Sequence, residues 1–143
     1  MRRGRAGQVV VEMLLILPVF LTMIFTIMEI GYVSFQLILL NHATYEVARI
    51  GSMTWTAPPA YSQGKLNEFM QRILPAARVT AIPEKTLMDP QAMQDNYDLV
   101  VTGYHSVKLI FPISSIILAK PKGSGMRELV ATVRMPIETP LKR

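Results

Sequence analysis

The chain has 143 residues, of which half are hydrophobic and 17% are charged, and its mean hydropathy is +0.30. This composition excludes a disordered or strongly solvated protein, and the length of about one domain excludes a large enzyme with two lobes around a cleft. With no cysteine and two histidines, the sequence offers no disulfide framework, no thiol catalyst and little for a metal centre, so we expect no metal and no cofactor.

A basic N-terminal stretch precedes a long apolar run. Much of the net charge of +5 comes from Arg2, Arg3 and Arg5, and residues 13–28 are sixteen consecutive uncharged residues. The run is apolar on every face and the domain behind it is too small to wrap it as a soluble core helix, so we predict a transmembrane helix at about residues 8–30. By the positive-inside rule the three arginines are an orientation signal that places the N-terminus in the cytoplasm. No A-x-A-like cleavage signal follows the run, so we expect the segment to stay attached.

Two residues within this helix are unusual. Glu12 lies about 6 Å into the apolar layer if Gln8 marks its inner edge, and a carboxylate there is either a snorkelling interfacial acid or a functional group. Pro18 cannot donate a backbone hydrogen bond and predicts a kink, which either sets helix curvature or has no consequence. Glu29 lies about 31 Å beyond Gln8, at the outer interface, and we expect no special role for it.

This order of features resembles the class III prepilin signal of TadE-like minor pilins, or pseudopilins, of the tight-adherence (Tad or Flp, type IVc) pilus. In that family a short basic leader ends in a glycine, here Gly7, and a glutamate is the fifth residue after it, here Glu12. Residues 29–31 resemble the family's E-x-G element, and residues 41–49 resemble its later stretch that begins N-x-A and ends A-R. Major Flp pilins carry tyrosine after the glutamate, whereas this chain has Met13, which favours a minor component.

The resemblance implies that a prepilin peptidase cuts after Gly7 and leaves Gln8 as the new N-terminus. The carboxylate of Glu12 could then neutralise the new amine, within the chain or in a neighbouring subunit. The implied partners are the peptidase, a major Flp-type pilin, a second minor pilin, the inner-membrane assembly platform and the lipid bilayer. The implied location is the bacterial inner membrane, single-pass with a periplasmic head, and the extracellular pilus after assembly.

Three other functions compete with this interpretation. A pseudopilin of a type II secretion or DNA-uptake system has the same general plan, and an uncleaved single-span envelope anchor would keep its leader. A membrane-tethered enzyme is disfavoured because no set of catalytic side chains is assembled in the sequence. We expect no nucleic-acid partner, because no basic stripe alternates with aromatic residues.

The predicted fold class is α+β and pilin-like, with a long N-terminal helix and a small head. The predicted parts are a basic leader at 1–7, the helix at 8–54 with an exposed spine at 31–54, and an extracytoplasmic head at 55–143. In the head we expect a helix at 62–74 capped by Ser62 and three antiparallel strands at 79–82, 97–111 and 128–135.

Three features of the head carry more specific expectations. Pro83 is expected to end the first strand, and residues 84–96 are expected to form a helix or turn. Gly103 is expected to bend or bulge the second strand. Residues 112–119 either pack on the spine, which we favour, or form an exposed contact patch for a partner.

Overall fold

The computed structural model describes the backbone of residues 3–55, 59–89, 94–111 and 116–137, and side-chain surroundings for 7–55, 62–85, 97–111 and 116–137. Within these residues the elements are α1 (Arg3–Thr54), α2 (Pro59–Ile73), β1 (Ala77–Asp89), β2 (Gln94–Lys108) and β3 (Met126–Pro136). The strands form one sheet in the order β1-β2-β3. The predicted α+β class, with a long helix, a second helix and three antiparallel strands, is confirmed.

The chain divides into two compact units. The first contains Met1–Ser34 and Lys108–Arg127, and the second contains Phe35–Val107 and Glu128–Arg143. The first unit therefore joins the apolar part of α1 to the loop that connects β2 and β3. The second unit holds the rest of α1, α2 and most of the sheet.

Helix α1 has 52 residues and already includes Arg3, so part of the predicted leader is helical. It continues through Pro18, and the predicted kink there stays a prediction. The hydroxyls of Thr22 and Thr26 donate to the carbonyl oxygens of Pro18 and Thr22, each at 2.8 Å. These polar side chains are thereby satisfied within the helix, as an apolar surrounding requires.

In the second unit, α1 packs one face against the sheet. Leu40, Thr44 and Val47 are fully buried at the spacing of one helical face. The buried hydroxyl of Thr44 donates to the carbonyl of Leu40 at 2.7 Å, so it leaves no unsatisfied polar group in the core. This face of α1 contributes to the core of the second unit.

Gly103 is a point of close contact between β2 and the helices. A Cβ built there would lie 3.1 Å from Cε of Met70 and 3.2 Å from Cδ1 of Leu40, and against the hydroxyl of Thr44. The β1–β2 register passes through the Val79–Gly103 pair without a shift. The predicted bulge at Gly103 is therefore wrong, and the glycine instead lets strand and helices approach closely.

Helix α2 begins at Pro59, three residues before the predicted start. Proline suits the first turn of a helix because its fixed φ is already helical and its missing N–H would be unpaired there. Ser62 consequently lies inside the helix, where it is buried, and the predicted Ser62 cap is wrong. Among the apolar side chains of α2, Leu66 and Met70 are buried, whereas Ile73 is exposed.

Strand β1 is much longer than predicted. It runs through Pro83 to Asp89, and β2 begins at Gln94, so the helix or turn predicted for 84–96 is wrong at 84–89 and 94–96. Residues 90–93 lie outside the described residues. Proline is tolerated in β1 because this is an edge strand, whose outer N–H groups have no strand partner.

Side chains of α2 bind the outer edge of β1. Gln63 accepts from the N–H of Ala81 at 2.8 Å and donates to the carbonyl of Val79 at 2.5 Å. Asn67 accepts from the N–H of Val79 at 2.9 Å. These bonds protect the edge from pairing with another strand.

Strand β3 pairs with the other side of β2. The N–H of Ile137 donates to the carbonyl of Tyr97 at 2.9 Å, and the hydroxyls of Thr102 and Thr132 lie 3.3 Å apart. Both pairs fit one antiparallel register. The observed strand extends the predicted 128–135 by two residues at its start and one at its end.

Candidate functional site

The predicted processing site lies in the first turns of α1. Arg2 lies outside the described residues, and Arg3 and Arg5 are helical in backbone with side chains outside the described set. A Cβ added at Gly7 would meet no atom within 4 Å, so packing does not require glycine there. Glycine inside a helix weakens it by about 0.5–1 kcal/mol relative to alanine, which favours local unwinding at this position.

Gln8 and Glu12 lie on one face of the helix. The side-chain amide of Gln8 donates to a carboxylate oxygen of Glu12 at 3.1 Å, and both side chains are exposed. Residues four apart are neighbours on a helix surface, and side chains tilt toward the N-terminus. The carboxylate of Glu12 is therefore directed toward the end of the helix that cleavage after Gly7 would create.

Glu29 has a role that the sequence analysis missed. Its side chain is 0% exposed. The backbone N–H of Ile110 lies 3.1 Å from both carboxylate oxygens, and the N–H of Phe111 donates to Oε2 at 2.9 Å. We call this arrangement the Glu29 clamp. It joins the end of the apolar part of α1 to a segment 81 and 82 residues further along the chain.

An aromatic contact lies next to the clamp. The rings of Phe25 and Phe111 stack with centroids 4.8 Å apart and an interplanar angle of 12°. Phe25 precedes Glu29 by four residues, so both side chains project from the same face of α1. The helix thus holds Phe111 by its backbone and by its ring.

The described residues of the segment held by the clamp are connected by hydrogen bonds of their own. We call this segment the docked loop and define it as residues 108–111 and 116–127. Its two ends are joined, because the N–H of Leu109 donates to the carbonyl of Gly125 at 2.8 Å. A second bond runs from the N–H of Lys120 to the carbonyl of Met126 at 3.0 Å, and the Arg127 guanidinium donates to the carbonyl of Leu118 at 2.9 Å.

The outcome for residues 112–119 differs along the segment. Residues 112–115 lie outside the described residues. Ile116 and Ile117 are 69% and 71% exposed, whereas Ala119 is buried. The favoured prediction of packing on the spine is therefore wrong for the two isoleucines, and the alternative, a contact patch for a partner, stays a prediction.

The second unit contains a partly buried titratable side chain. Nδ1 of His105, on β2, is buried without a hydrogen-bond partner among the described residues. Burial lowers the pKa of His105 below its usual 6.5, and a hydrogen bond to the backbone of Ala76 opposes part of that shift. Among the described residues no group of three or more histidine, aspartate or glutamate side chains is placed to hold a metal ion.

Comparison with known protein families gives a match at the N-terminal part of the chain. The family model of TadE-like proteins matches residues 7–49, which begin at the predicted processing glycine and include Glu12 and Glu29. No curated protein and no solved structure gives a match. Among the described residues, α1 is long and apolar enough, by length and composition, to cross a membrane. The match confirms the predicted resemblance to TadE-like proteins over residues 7–49.

Proposed function

We propose that the chain is a minor pilin or pseudopilin of the Tad (Flp) pilus, matured by prepilin peptidase cleavage after Gly7. The observation that carries the proposal is that the family match begins at Gly7, with Glu12 five residues later at the start of an apolar helix of membrane-spanning length. In this proposal the arginine-bearing N-terminus is cytoplasmic and the head is periplasmic. The processed chain joins other pilin subunits at the inner-membrane assembly platform.

The chemistry of assembly depends on one charge pair. Cleavage after Gly7 turns the backbone nitrogen of Gln8 into a positive amine at the edge of the apolar layer. Glu12 lies one turn away on the same face and already contacts the side chain of Gln8. Removing one partner of a buried ion pair costs about 3–5 kcal/mol, because the other charge stays buried and unpaired. The pair therefore selects one docking register between subunits.

The processing step is tested by mass spectrometry of the N-terminus of the filament-associated protein. In cells with the peptidase we expect a chain that begins at Gln8, and in cells without it a chain that retains the leader. Gly7→Val should block cleavage, because the added side chain enters the narrow peptidase site. Gly4→Val, three residues earlier, is the matched control and should be processed normally. A filament-associated chain that still begins at Met1 or Arg2 would identify an uncleaved anchor instead.

The assembly step is tested at Glu12. Glu12→Gln and Glu12→Ala should reduce incorporation into pili while membrane insertion stays intact, because insertion depends on the apolar run and not on this carboxylate. Glu46→Gln, on the same helix but in the second unit, is the control for loss of a carboxylate. The readout is the amount of subunit in sheared pili relative to the amount in the membrane. Wild-type incorporation of Glu12→Ala would remove the assembly role of this residue.

A further inference from the structure

The docked loop lies at a defined level along α1. Glu29 is about 31 Å along the helix axis from Gln8, and a bilayer hydrocarbon core is about 30 Å thick. If Gln8 marks the inner edge of that core, as the proposed function requires, Glu29 marks the outer edge. The backbone of Ile110 and Phe111 is bonded directly to Glu29 and therefore lies at the same level.

The aromatic stack places part of the loop deeper. Phe25 is four residues before Glu29, which is about 6 Å further into the apolar layer along the axis. Its ring stacks on that of Phe111 at 4.8 Å. The Phe111 side chain thus extends from the level of the clamp toward the hydrocarbon, and the loop lies where acyl chains meet headgroups.

The loop exposes several apolar side chains. Ile110 is 63% exposed, and Ile116 and Ile117 are exposed by 69% and 71%. Adjacent large aliphatic side chains in water are unfavourable, and together they mark an interaction surface. At the membrane boundary the same side chains would leave water without any rearrangement of the loop.

The charge of the loop matches an anionic surface. The docked loop contains Lys108, Lys120, Lys122 and Arg127 and no acidic residue. Outside this loop and the leader, the chain has eight basic and ten acidic residues, so positive charge in the processed protein is concentrated here. The three lysines are exposed. Basic residues beside inserted apolar ones are the composition that binds anionic lipid surfaces.

We propose that the docked loop is a lipid-binding surface, in which Ile116 and Ile117 enter the outer leaflet and Lys120 and Lys122 bind anionic headgroups. The proposal rests on the proposed membrane span, because that span sets the level of the loop. The Glu29 clamp is what holds the loop against the bilayer. The surface would orient the subunit at the membrane before it is taken into a filament.

The test uses the full chain in vesicles of phosphatidylcholine with or without phosphatidylglycerol. The chain has no cysteine, so single cysteines report single sites. A fluorophore is attached at Ile117→Cys in the loop, at Leu17→Cys in the middle of α1, or at Ile82→Cys, an exposed position on β1. Quenching by doxyl-labelled lipid is compared with quenching by a water-soluble quencher.

We expect the label at position 117 to be quenched by lipid several-fold more than the label at 82, and more strongly when phosphatidylglycerol is present. Lys120→Gln with Lys122→Gln should remove the dependence on phosphatidylglycerol. Glu29→Ala should return the label at 117 to water, and Glu29→Gln, which keeps an acceptor oxygen, should do so less.

Three results would overturn the proposal. Equal water access at positions 117 and 82 would show that the loop does not bind lipid. Shielding of position 117 only when other pilin subunits are added would assign the surface to a pilin contact. A label at position 17 outside the hydrocarbon would overturn the membrane span itself and with it the proposed function, whereas the first two results leave that span intact.

Discussion

Glu29→Ala should release the docked loop from α1. The substitution removes the acceptor of two backbone N–H groups, those of Ile110 and Phe111, which lie 2.9–3.1 Å from the carboxylate oxygens. It also frees Phe111 to leave the ring of Phe25. Because the side chain of Glu29 is fully buried, no solvent replaces it without movement of the loop.

The size of the effect follows from the bonds that are lost. A hydrogen bond to a charged group contributes about 1.5–3 kcal/mol, so two donors contribute about 3 kcal/mol at the lower end of that range. A change of about 3 kcal/mol corresponds to about a hundredfold change in the opening equilibrium of the loop. Glu29→Gln keeps one acceptor oxygen without the charge and should have an intermediate effect.

The assay is amide hydrogen exchange of the full chain in lipid nanodiscs. Exchange of the Ile110 and Phe111 amides should accelerate by about a hundredfold in Glu29→Ala, since exchange of a bonded amide follows its opening equilibrium. Glu12→Ala is the control, because it removes an exposed carboxylate from the same helix. It should leave the exchange rates of the Ile110 and Phe111 amides unchanged. If Glu29→Ala leaves their exchange at the wild-type rate, the carboxylate does not hold the loop.

Three further predictions concern the second unit. Trp55 is the single tryptophan of the chain and is buried, so its fluorescence should report unfolding of this unit. Gly103→Ala should lower the free energy of unfolding by about 1–3 kcal/mol, because the new methyl meets packed side chains; an unchanged midpoint would argue against the close approach. Ala76→Gly should raise the free energy of unfolding by about 0.5–1 kcal/mol, because Ala76 has a φ of 85°, which glycine adopts without strain. A lower midpoint of the unfolding transition in this variant would argue against strain at Ala76. His105 has a lowered pKa, so the folded state favours its neutral form. The contribution of His105 to the free energy of unfolding should therefore be complete above pH 6.5 and should fall as the pH drops below that value. In His105→Gln the free energy of unfolding should fall less over the same pH range, and an unchanged pH dependence would argue against this contribution.

The sequence predicts α1 well because its signals are local. An uninterrupted apolar run, leading arginines and a helical face in the exposed half all act within a few residues of one another. The position of β3 is likewise predicted to within two residues, because alternation and Pro136 define it locally. The resemblance to TadE-like proteins depends on the same N-terminal region, and the family match confirms it over residues 7–49.

The errors come from properties that only the folded chain decides. Pro83 predicts the end of a strand, but an edge strand tolerates proline, and the edge position of β1 is a property of the whole sheet. In the sequence, Gly103 is as compatible with a bend in the strand as with close packing of helices against the strand. Only the folded structure shows that side chains of α1 and α2 lie against it. Ser62 fits a helix cap, whereas Pro59, three residues earlier, starts the helix.

Glu29 was missed for a related reason. An acid at the outer end of a membrane helix is satisfied by water, so the sequence gives no reason to look for a partner. In the structure it accepts hydrogen bonds from backbone N–H groups 81 and 82 residues away. Every residue except proline has such a group, so the amino-acid sequence does not indicate which ones bind Glu29. Phe25, one turn earlier on the same face, is a local feature of this site, but its sequence position does not indicate that it stacks on Phe111.

The two carboxylates of α1 should therefore act at different stages. Glu29 has its partners within the folded chain, whereas Glu12 is exposed and contacts Gln8, whose backbone becomes an amine only after cleavage. Glu29→Ala should open the docked loop in processed chains and in uncleaved Gly7→Val chains alike. Glu12→Ala should leave the loop closed in both and reduce incorporation of the processed chain into pili. If Glu12→Ala accelerated exchange of the loop amides as much as Glu29→Ala does, the two residues would not act independently, and assembly defects at Glu12 would have to be assigned to folding.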